Sequence, residues 1–368
     1  MTLGKKIFVT LSALVLISIA AFAVALSHDS PCTAVPPLAA GKQGMKAITR
    51  TCYGGTESLA LSIVEKPVPE EGEVLVKVSA ASVNPYDWHI MTGKPYLVRM
   101  SSGFGAPDYI RVGADFAGSV EAVGAGVTQY KPGDEVFGTS GGAYAEYVLA
   151  RAGGSITKKA ENMTFEEAAA LPIAAVTALQ GLRDKGKLQP RQKVLINGAS
   201  GGVGTYAVQI AKALGAEVTG VCSGRNVELV RSLGADHVID YTQDDFTLRR
   251  ERYDLILDNV GNHPLLDLRN VLTPKGIVVI VSGPKTNRWI GPMMRPVKGA
   301  MLSLVYEQQF AGFVADTHEA DLTMLADLAR AGKLRTAIDR RYRLDELAAA
   351  LDYVATGRAR GKVVVGID

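Results

Sequence analysis

The middle of the chain carries a glycine-rich loop between an apolar run and a helical pattern. The loop, residues 197–204, reads N-G-A-S-G-G-V-G and follows the run V-L-I at 194–196. In the fingerprint G-x-G-x-x-G, the three glycine positions are here Ala199, Gly201 and Gly204. Small residues at these positions let backbone N–H groups approach a pyrophosphate at a helix N-terminus. We predict a dinucleotide site; the alternative is a tight turn without a ligand.

Strands and helices alternate around this loop. Thr164 and Glu167 form a predicted capping box that opens the first helix of this part. A βαβ order predicts a doubly wound parallel sheet with helices on both faces, here over residues 166–337. The predicted strands are 193–197, 217–222, 238–240, 255–258 and 277–282, and the predicted helices are 165–170, 172–182, 202–214, 227–233, 319–331 and 344–356.

The end of the second of these strands indicates which dinucleotide is bound. An NAD enzyme places a carboxylate about 20 residues after the loop, where it accepts hydrogen bonds from the ribose. Here Ser223 lies 19 residues after Gly204 and Arg225 follows it, without a carboxylate. A hydroxyl and a guanidinium suit a 2′-phosphate, so we predict NADPH. The alternative is that Arg225 is a solvated loop residue.

The preceding part of the chain has short alternating runs separated by glycine and proline. It predicts strands at 73–78, 116–123 and 143–150, and a turn leading into a strand at 131–136. Short strands at such spacing favour a small barrel, which we place at residues 45–165. A last strand at 362–365 can return to it, so we expect residues 338–368 to complete the barrel.

The N-terminus is a separate element. Residues 7–26 carry no charge, and about 20 apolar residues suffice for a helix to span the ~30 Å hydrocarbon core of a bilayer. The stretch 27–44, rich in proline and glycine, reads as a linker. We predict a single-pass membrane anchor within residues 1–44. The alternative is a signal peptide cut after the A-V-A at 23–25.

Two features disagree about the side of the membrane on which the body of the chain lies. Lys5 and Lys6 precede the apolar run, and the positive-inside rule then places the rest of the chain outside the cytoplasm. Nicotinamide dinucleotides are intracellular. We therefore expect the catalytic domain on the NADPH-containing, cytoplasmic side.

Charge and cysteine content exclude other classes of protein. The 40 Lys and Arg and 37 Asp and Glu are interspersed, for a net charge of +3, so we expect no nucleic-acid partner. The three cysteines, Cys32, Cys52 and Cys222, are far apart and odd in number. We expect from them neither a disulfide framework nor a Cys-rich zinc lobe.

Several segments together resemble a known family. They are N-P-Y-D at 84–87, G-A-D-F-A-G at 113–118, the glycine loop, L-G-A-D-H-V-I-D-Y at 233–241, L-D-N-V-G at 257–261 and A-R-G-K at 359–362. In this order they resemble the medium-chain dehydrogenase/reductase superfamily, in its zinc-independent quinone oxidoreductase branch that includes the mitochondrial reticulon-interacting type. The resemblance covers roughly residues 45–368 and leaves out the anchor.

The resemblance implies a GroES-like β-barrel packed against a Rossmann domain, with the active site in the cleft between them. Asn84 and Asp87 are expected beside the nicotinamide, and Gly361 and Lys362 reach the cofactor from the returning tail. The other residues expected at NADPH are Thr177, Ser200, Gly201, Gly202, Val203, Gly204, Ser223, Arg225, Tyr241, Gly261 and Phe313.

Zinc-dependent relatives carry a Cys early in the barrel and a His-Glu pair after a glycine. The matching segments here, 84–87 and 113–115, cannot supply three zinc ligands, so we predict no metal. Oxidising an alcohol without a Lewis acid is difficult. Hydride transfer to an electrophilic acceptor, a quinone or an α,β-unsaturated carbonyl, is easier.

His89 is the predicted proton donor, because a histidine titrates near neutrality. The alternatives are that His89 is structural and that Tyr86 or Tyr53 takes the role. We predict a membrane-tethered, NADPH-dependent reductase that acts as a homodimer. One alternative is an NADP-dependent alcohol dehydrogenase or aldehyde reductase, and another is a tethered NADPH-binding sensor or scaffold with little turnover.

Overall fold

The structure, a computed structural model, describes residues 3–284 and 287–367. Residues 1, 2, 285, 286 and 368, which belong to the predicted domain ranges, lie outside the described residues. The chain begins with helix α1, Leu3–Ser27. Its stretch Thr10–Ser27 is long and apolar enough to cross a membrane by length and composition alone, a test that a signal sequence also passes.

Two sheets of antiparallel character follow α1. Strands β1 (Gly44–Thr49) and β2 (Ala60–Glu65) pair with each other. Seven strands form the larger sheet, in the order β14-β15-β3-β4-β5-β7 with β6 paired to β3. These are β3 (Glu73–Val83), β4 (Asp115–Val123), β5 (Glu135–Thr139), β6 (Tyr147–Arg151), β7 (Ile156–Lys158), β14 (Ile338–Arg343) and β15 (Lys362–Gly366).

Strand β15 lies antiparallel to β3, with Val364 opposite Ser82, so the returning tail is part of this sheet. The strand expected at 143–150 begins only at Tyr147. Before that point the chain crosses to β1, where Ile48 N donates to Tyr144 O and Glu146 N to Lys46 O.

Six parallel strands form the third sheet, in the order β10-β9-β8-β11-β12-β13. The sequence prediction of a doubly wound parallel sheet is confirmed. The chain order reverses between β8 and β11, which is where such sheets bind ligands at the carboxyl ends of the strands. The strands are β8 (Lys193–Asn197), β9 (Glu217–Cys222), β10 (His237–Asp240), β11 (Tyr253–Asp258), β12 (Leu272–Ile280) and β13 (Gln309–Gly312).

Helices cover this sheet and join it to the larger antiparallel one. The predicted capping box opens α4, since Glu167 N donates to Thr164 Oγ1 and Thr164 N to Glu167 Oε2. A π-helical turn, Gly181–Lys185, follows α5. The helices after α1 are α2 (Pro85–Thr92), α3 (Arg99–Ser102), α4 (Phe165–Ala169), α5 (Pro172–Gln180), α6 (Gly202–Ala213), α7 (Val227–Ser232), α8 (Leu265–Asn270), α9 (Met294–Ser303), α10 (Glu319–Arg330) and α11 (Leu347–Ala355).

The expectation for the cysteines is wrong for Cys32 and Cys52, which form a disulfide bond. They are 20 residues apart in sequence, but the linker folds back along the body of the chain. Thr33 N donates to Thr51 Oγ1, and Thr51 Oγ1 donates to Thr33 O. The spacing of the cysteines in the sequence did not predict that the linker folds back. Cys222 is free and buried.

Candidate active site

The glycine loop connects β8 to α6, as its position in the sequence predicts. Gly198 has a φ of +79°, in the left-handed region that favours glycine. A Cβ at Gly204 would lie 2.1 Å from Gly198 O, so only glycine fits there. Gly202 and Val203 form the first turn of α6, where helix geometry leaves backbone N–H groups without intrahelical acceptors. This end of the helix fits a phosphate.

Two predicted cofactor residues, Ser200 and Ser223, are joined by Asn226. The buried Asn226 amide donates from Nδ2 to Ser200 Oγ at 3.0 Å and to Ser223 Oγ at 3.2 Å. Its Oδ1 has no hydrogen-bond partner among the described residues. Sequence reasoning missed Asn226, although it directly follows Arg225. The orphaned oxygen fits a ligand that donates a hydrogen bond at this point.

Asn259 presents a second orphaned oxygen at the carboxyl end of β11. Its Nδ2 donates to Asn197 O at 3.1 Å across the switch point of the sheet, and its buried Oδ1 has no partner within the described residues. Gly261 follows, with a φ of +73° and its N–H donating to Asp258 Oδ1. The loop that follows β11 therefore presents a buried, unpaired acceptor that fits a hydrogen-bond donor of a ligand.

Arg225 is exposed and lies beside the tail that leads into β15. Its Nη2 donates to Arg358 O at 3.2 Å. A Cβ at Gly224 would lie 2.6 Å from Asp240 Oδ2, so a carboxylate from the next strand lies nearby. Asp240 ends β10 and not β9, so the residues that follow β9 in the sequence did not reveal this carboxylate. Tyr241, also exposed, follows this aspartate.

The tail contacts the phosphate loop directly. Gly361 N donates to Ser200 O at 2.8 Å, and a Cβ at Gly202 would lie 3.2 Å from Lys362 Cδ. Gly361 has a φ of +85°, and a side chain there would meet Ala337 O at 2.1 Å. The predicted pair Gly361 and Lys362 thus lies against the predicted loop residues.

A buried polar chain continues from Lys362 into the barrel side. Lys362 Nζ donates to Asn84 Oδ1 at 2.6 Å, and Asn84 Nδ2 donates to Asp115 Oδ2 at 2.9 Å. Ser82 Oγ donates to the same carboxylate oxygen at 2.9 Å. Burial lowers the pKa of Lys362 and raises the pKa of Asp115, while their mutual attraction opposes both shifts.

Asp87 lies next to this chain because it caps α2. Its Oδ2 accepts from Asn84 N at 2.8 Å and from Tyr144 OH at 2.9 Å. Its buried Oδ1 has no partner among the described residues. Burial raises the pKa of Asp87 to about 7; the hydrogen bond from Asn84 N opposes this shift and the Asp115 charge adds to it. Tyr144, 57 residues away in sequence, was missed.

The remaining predicted residues lie on neighbouring elements. His89, on α2, has Nδ1 2.7 Å from Lys94 O. Thr177 Oγ1 donates to Ile173 O, and Ile173 N donates to Asp115 Oδ1 at 3.2 Å, which links α5 to the buried chain. The Phe313 ring lies beside Gly181, 3.5 Å from the position that a Cβ would take there.

The two other proposed proton donors differ in exposure. Tyr53 is buried and its hydroxyl donates to Gly103 O at 2.8 Å, whereas Tyr86 is half exposed. Across residues 3–284 and 287–367, no three His, Cys, Asp or Glu side chains are grouped so that they could hold a metal ion.

Comparison with known proteins shows the family to which the chain belongs. Two family descriptions match: the alcohol dehydrogenase GroES-like domain over residues 70–160 and the zinc-binding dehydrogenase over residues 233–365. The chain is 33% identical to the chloroplast envelope quinone oxidoreductase homolog of Arabidopsis thaliana, over 87% of this chain and 98% of that protein. It is also 33% identical to the mitochondrial NAD(P)H oxidoreductase RTN4IP1 of Mus musculus, over 91% of this chain and 90% of that one.

A solved structure agrees with these relatives. The quinone oxidoreductase from Coxiella burnetii shares the fold with a TM-score of 0.78 and 30% identity, covering 89% of this chain and all of that one. Its match spans both the barrel side and the parallel sheet. The α/β fold with GroES-like and Rossmann-like domains and the sequence relationship point the same way: this chain belongs to the medium-chain dehydrogenase/reductase superfamily, in the branch of the quinone oxidoreductases and RTN4IP1, and it is an oxidoreductase.

Proposed function

We propose that the protein is an NADPH-dependent reductase that delivers hydride to a quinone or an α,β-unsaturated carbonyl without a metal. The observation that carries the proposal is the buried chain Lys362–Asn84–Asp115, which is joined to the phosphate loop through Gly361 and Ser200. In this chain Lys362 donates to Asn84 and Asn84 donates to Asp115, so three buried polar side chains are held in fixed positions beside the phosphate loop. When bound, the nicotinamide supplies the hydride.

The chain's own residues would bind and orient the dinucleotide. The first turn of α6 holds the pyrophosphate through backbone N–H groups, and Asn226 fixes the hydroxyls of Ser200 and Ser223. Arg225, exposed and beside the tail, offers its guanidinium to the 2′-phosphate. The Asn84 amide accepts a hydrogen bond from Lys362 Nζ and donates one to Asp115 Oδ2. These two bonds hold the amide in one orientation near the phosphate loop.

Reduction also needs a proton. A protonated Asp87 carries its proton on Oδ1, because Oδ2 already accepts two hydrogen bonds. With its pKa raised to about 7 by burial, Asp87 holds a transferable proton near neutrality. His89, on α2, is the second proposed donor. Substituting Asp87 and His89 separately distinguishes the two donors.

We also propose that α1 anchors the protein in a membrane and that the chain forms a homodimer. Strand β13 is an edge of the parallel sheet and pairs only with β12 among the described strands, which leaves room for a second copy. We place the catalytic domain on the NADPH-containing, cytoplasmic side. In that reducing compartment Cys32 and Cys52 would be neighbouring free thiols. The disulfide and the positive-inside rule favour the other side.

A reporter fused at Asp368 tests on which side of the membrane the catalytic domain lies, and a mass measurement in nanodiscs tests the oligomeric state. The reaction itself is tested with purified full-length protein in nanodiscs, by following NADPH absorbance with quinones, enones and aldehydes. We expect turnover with quinones or enones. Faster oxidation of alcohols with NADP⁺ would overturn the proposal in favour of an alcohol dehydrogenase, and tight NADPH binding without any turnover would favour a sensor.

A further inference from the structure

The C-terminal end of α1 is fixed to the body of the protein by a buried arginine. Arg99 is 1% exposed, and its Nη1 donates to His28 O at 2.8 Å and to Leu26 O at 3.2 Å. Its Nη2 forms an ion pair with Asp29 at 2.6 Å. The rings of Phe22 and Phe104 meet edge to face with centroids 6.3 Å apart. The point at which α1 leaves the body is therefore a defined place on its surface.

A second segment adjoins this place. Tyr96 N donates to Arg288 O and Leu97 N to Trp289 O, at 2.8 and 3.0 Å. The rings of Tyr96 and Trp289 are 5.0 Å apart. A Cβ at Gly291 would lie 2.9 Å from Pro95. The residues from 288 onward, which lead into α9, thus continue the surface that receives α1.

This surface exposes large apolar side chains. Six of them, each 40% exposed or more, form what we call the apolar shelf: Met100, Phe104, Trp289, Met294, Val297 and Met301. The last three recur along α9 at helical spacing, while the intervening Arg295 and Gly299 are buried. A helix that turns its apolar side chains outward has a partner that its own chain does not supply.

The two segments that carry the shelf have more basic than acidic residues. Residues 94–108 and 287–307 include five basic residues and two acidic ones, Asp108 and Glu307 at the segment ends, in a chain whose charges are otherwise nearly balanced. Arg99 and Arg295 are used internally, by Asp29 and Asp258. Lys94, Arg288 and Lys298 remain exposed at the surface. The excess of basic residues favours contact with an anionic surface.

We propose that the apolar shelf lies in the headgroup region of an anionic lipid bilayer, as a second membrane contact beside α1. The proposal rests on the proposed anchor. An outward apolar face with lysine and tryptophan at its border is typical of helices that lie in the interface of a bilayer. Helix α9, which carries part of the shelf, also lies near the predicted cofactor loop, since a Cβ at Gly261 would lie 2.6 Å from Gly283 Cα and a Cβ at Gly283 would lie 3.3 Å from Arg295 Cβ. A lipid-soluble acceptor would then enter from the bilayer.

The test uses the full chain in nanodiscs that contain anionic lipids with brominated acyl chains. The chain has two tryptophans, so Trp88→Phe leaves Trp289 as the only tryptophan, whose emission is followed by selective excitation. We expect the brominated lipids to quench Trp289 about twofold, because an interfacial face sinks about 5–10 Å into the headgroup boundary. Adding Val297→Glu and Met301→Glu should abolish the quenching. Leu248→Glu, at a residue 83% exposed outside the shelf, is the matched control and should leave it intact.

Three readouts separate the outcomes. If Trp289 is not quenched although the chain resists carbonate extraction, the proposed membrane contact of the shelf is wrong and only the proposed anchor remains. If Trp289 is not quenched in the parent and the Val297→Glu, Met301→Glu variant loses the dimer, the shelf contacts a second copy of the chain and not the bilayer. NADPH oxidation with a water-soluble quinone, measured on the same nanodiscs, reports on the proposed reaction independently and should be the same in the shelf variant and in its parent.

Discussion

Lys362 and Asn84 are 278 residues apart in the chain, yet the lysine Nζ lies 2.6 Å from the asparagine Oδ1. The pairing of β15 with β3 brings them together, and both side chains are buried. A lysine ammonium needs acceptors when it is removed from water. Asn84 provides one, and the Asp115 carboxylate lies 4.0 Å away. The residues on which the proposed reaction depends are therefore also part of the barrel's core.

Replacing Lys362 with methionine keeps the length of the side chain and removes the charge. We expect a loss of about 3–5 kcal/mol in the free energy of unfolding, because Asp115 then stays buried without its cation. The kcat should fall as well, since Asn84 loses its fixed position. Lys159→Met, at another buried lysine that pairs with Glu135, is the control. It should lower stability without a specific loss of kcat; equal kinetic losses in both variants would contradict the assignment.

Replacing Arg225 with alanine tests the choice of cofactor. A charge-assisted hydrogen bond is typically worth about 1.5–3 kcal/mol, so the KM for NADPH should rise roughly ten- to a hundredfold. The KM for NADH should stay nearly unchanged. Arg231→Ala, at an exposed arginine of α7 that pairs with Glu228, should affect neither. If both cofactors lose affinity equally, Arg225 does not read the 2′-phosphate.

The stability of the protein should depend on pH through Asp87. Burial raises its pKa from an ordinary 3.8 to about 7, so between these values the folded state holds one proton more than the unfolded state. Stability therefore falls as pH rises through this window, by up to about 1.4 kcal/mol per pH unit. Asp87→Asn should flatten the profile in denaturant titrations. Glu251→Gln, an exposed carboxyl, should leave the slope as it is.

The same residue predicts a kinetic pH dependence. If protonated Asp87 donates, kcat with an enone falls as pH rises through about 7, because the proton is then lost. Asp87→Asn should remove this fall together with most of the activity. A fall that persists in the variant would assign the titration to another group.

His89→Phe tests the other proposed donor. The ring is retained beside Trp88, so the variant should fold normally. If His89 donates the proton, kcat with enones should decrease by about 10²–10⁴. Circular dichroism and NADPH binding check the fold. Unchanged turnover across the pH range would make His89 a structural residue that caps the turn at Lys94.

Treatment with a strong chelator should leave activity intact, and elemental analysis should find well under one zinc per chain. The reason is the donor set: the positions at 84–87 and 113–115 contain no His or Cys, and their two carboxylates, Asp87 and Asp115, already accept hydrogen bonds through Oδ2 in the buried network. A structural or catalytic zinc needs four suitable ligands. Stoichiometric zinc together with chelator-sensitive turnover would sink the metal-free proposal.

The parallel sheet could be predicted because its strands are buried on both faces. Strand β8 extends one polar residue beyond the run V-L-I at each end, from Lys193 to Asn197, and β9 runs from Glu217 to Cys222, both with the bounds that the sequence predicts. Helix α9 was missed because Pro296 and Gly299 lie within it; the proline is tolerated in the first turn. Strand β14 was missed for the opposite reason, since it is an exposed edge without an apolar run.

The candidate site could be predicted only in part. The phosphate loop is a local motif, and its residues lie together because they are neighbours in the chain. Asn226 and Tyr144 could not be found in this way, because their contacts, to Ser200 and Asp87, span 26 and 57 residues. The disulfide between Cys32 and Cys52 depends likewise on a linker that folds back. Long-range contacts of this kind are set by the packing of whole elements.

The late position of Lys362 has a consequence for protein synthesis. A ribosome that stops after β13 has already made the whole parallel sheet and the phosphate loop, but neither β14 nor β15. In that product Asp115 has no ammonium partner, and β3 has lost a neighbouring strand. Such a fragment exposes a sheet edge and an uncompensated buried carboxylate, features that favour aggregation and proteolysis. We therefore expect an unfinished copy to be degraded more readily than the full chain.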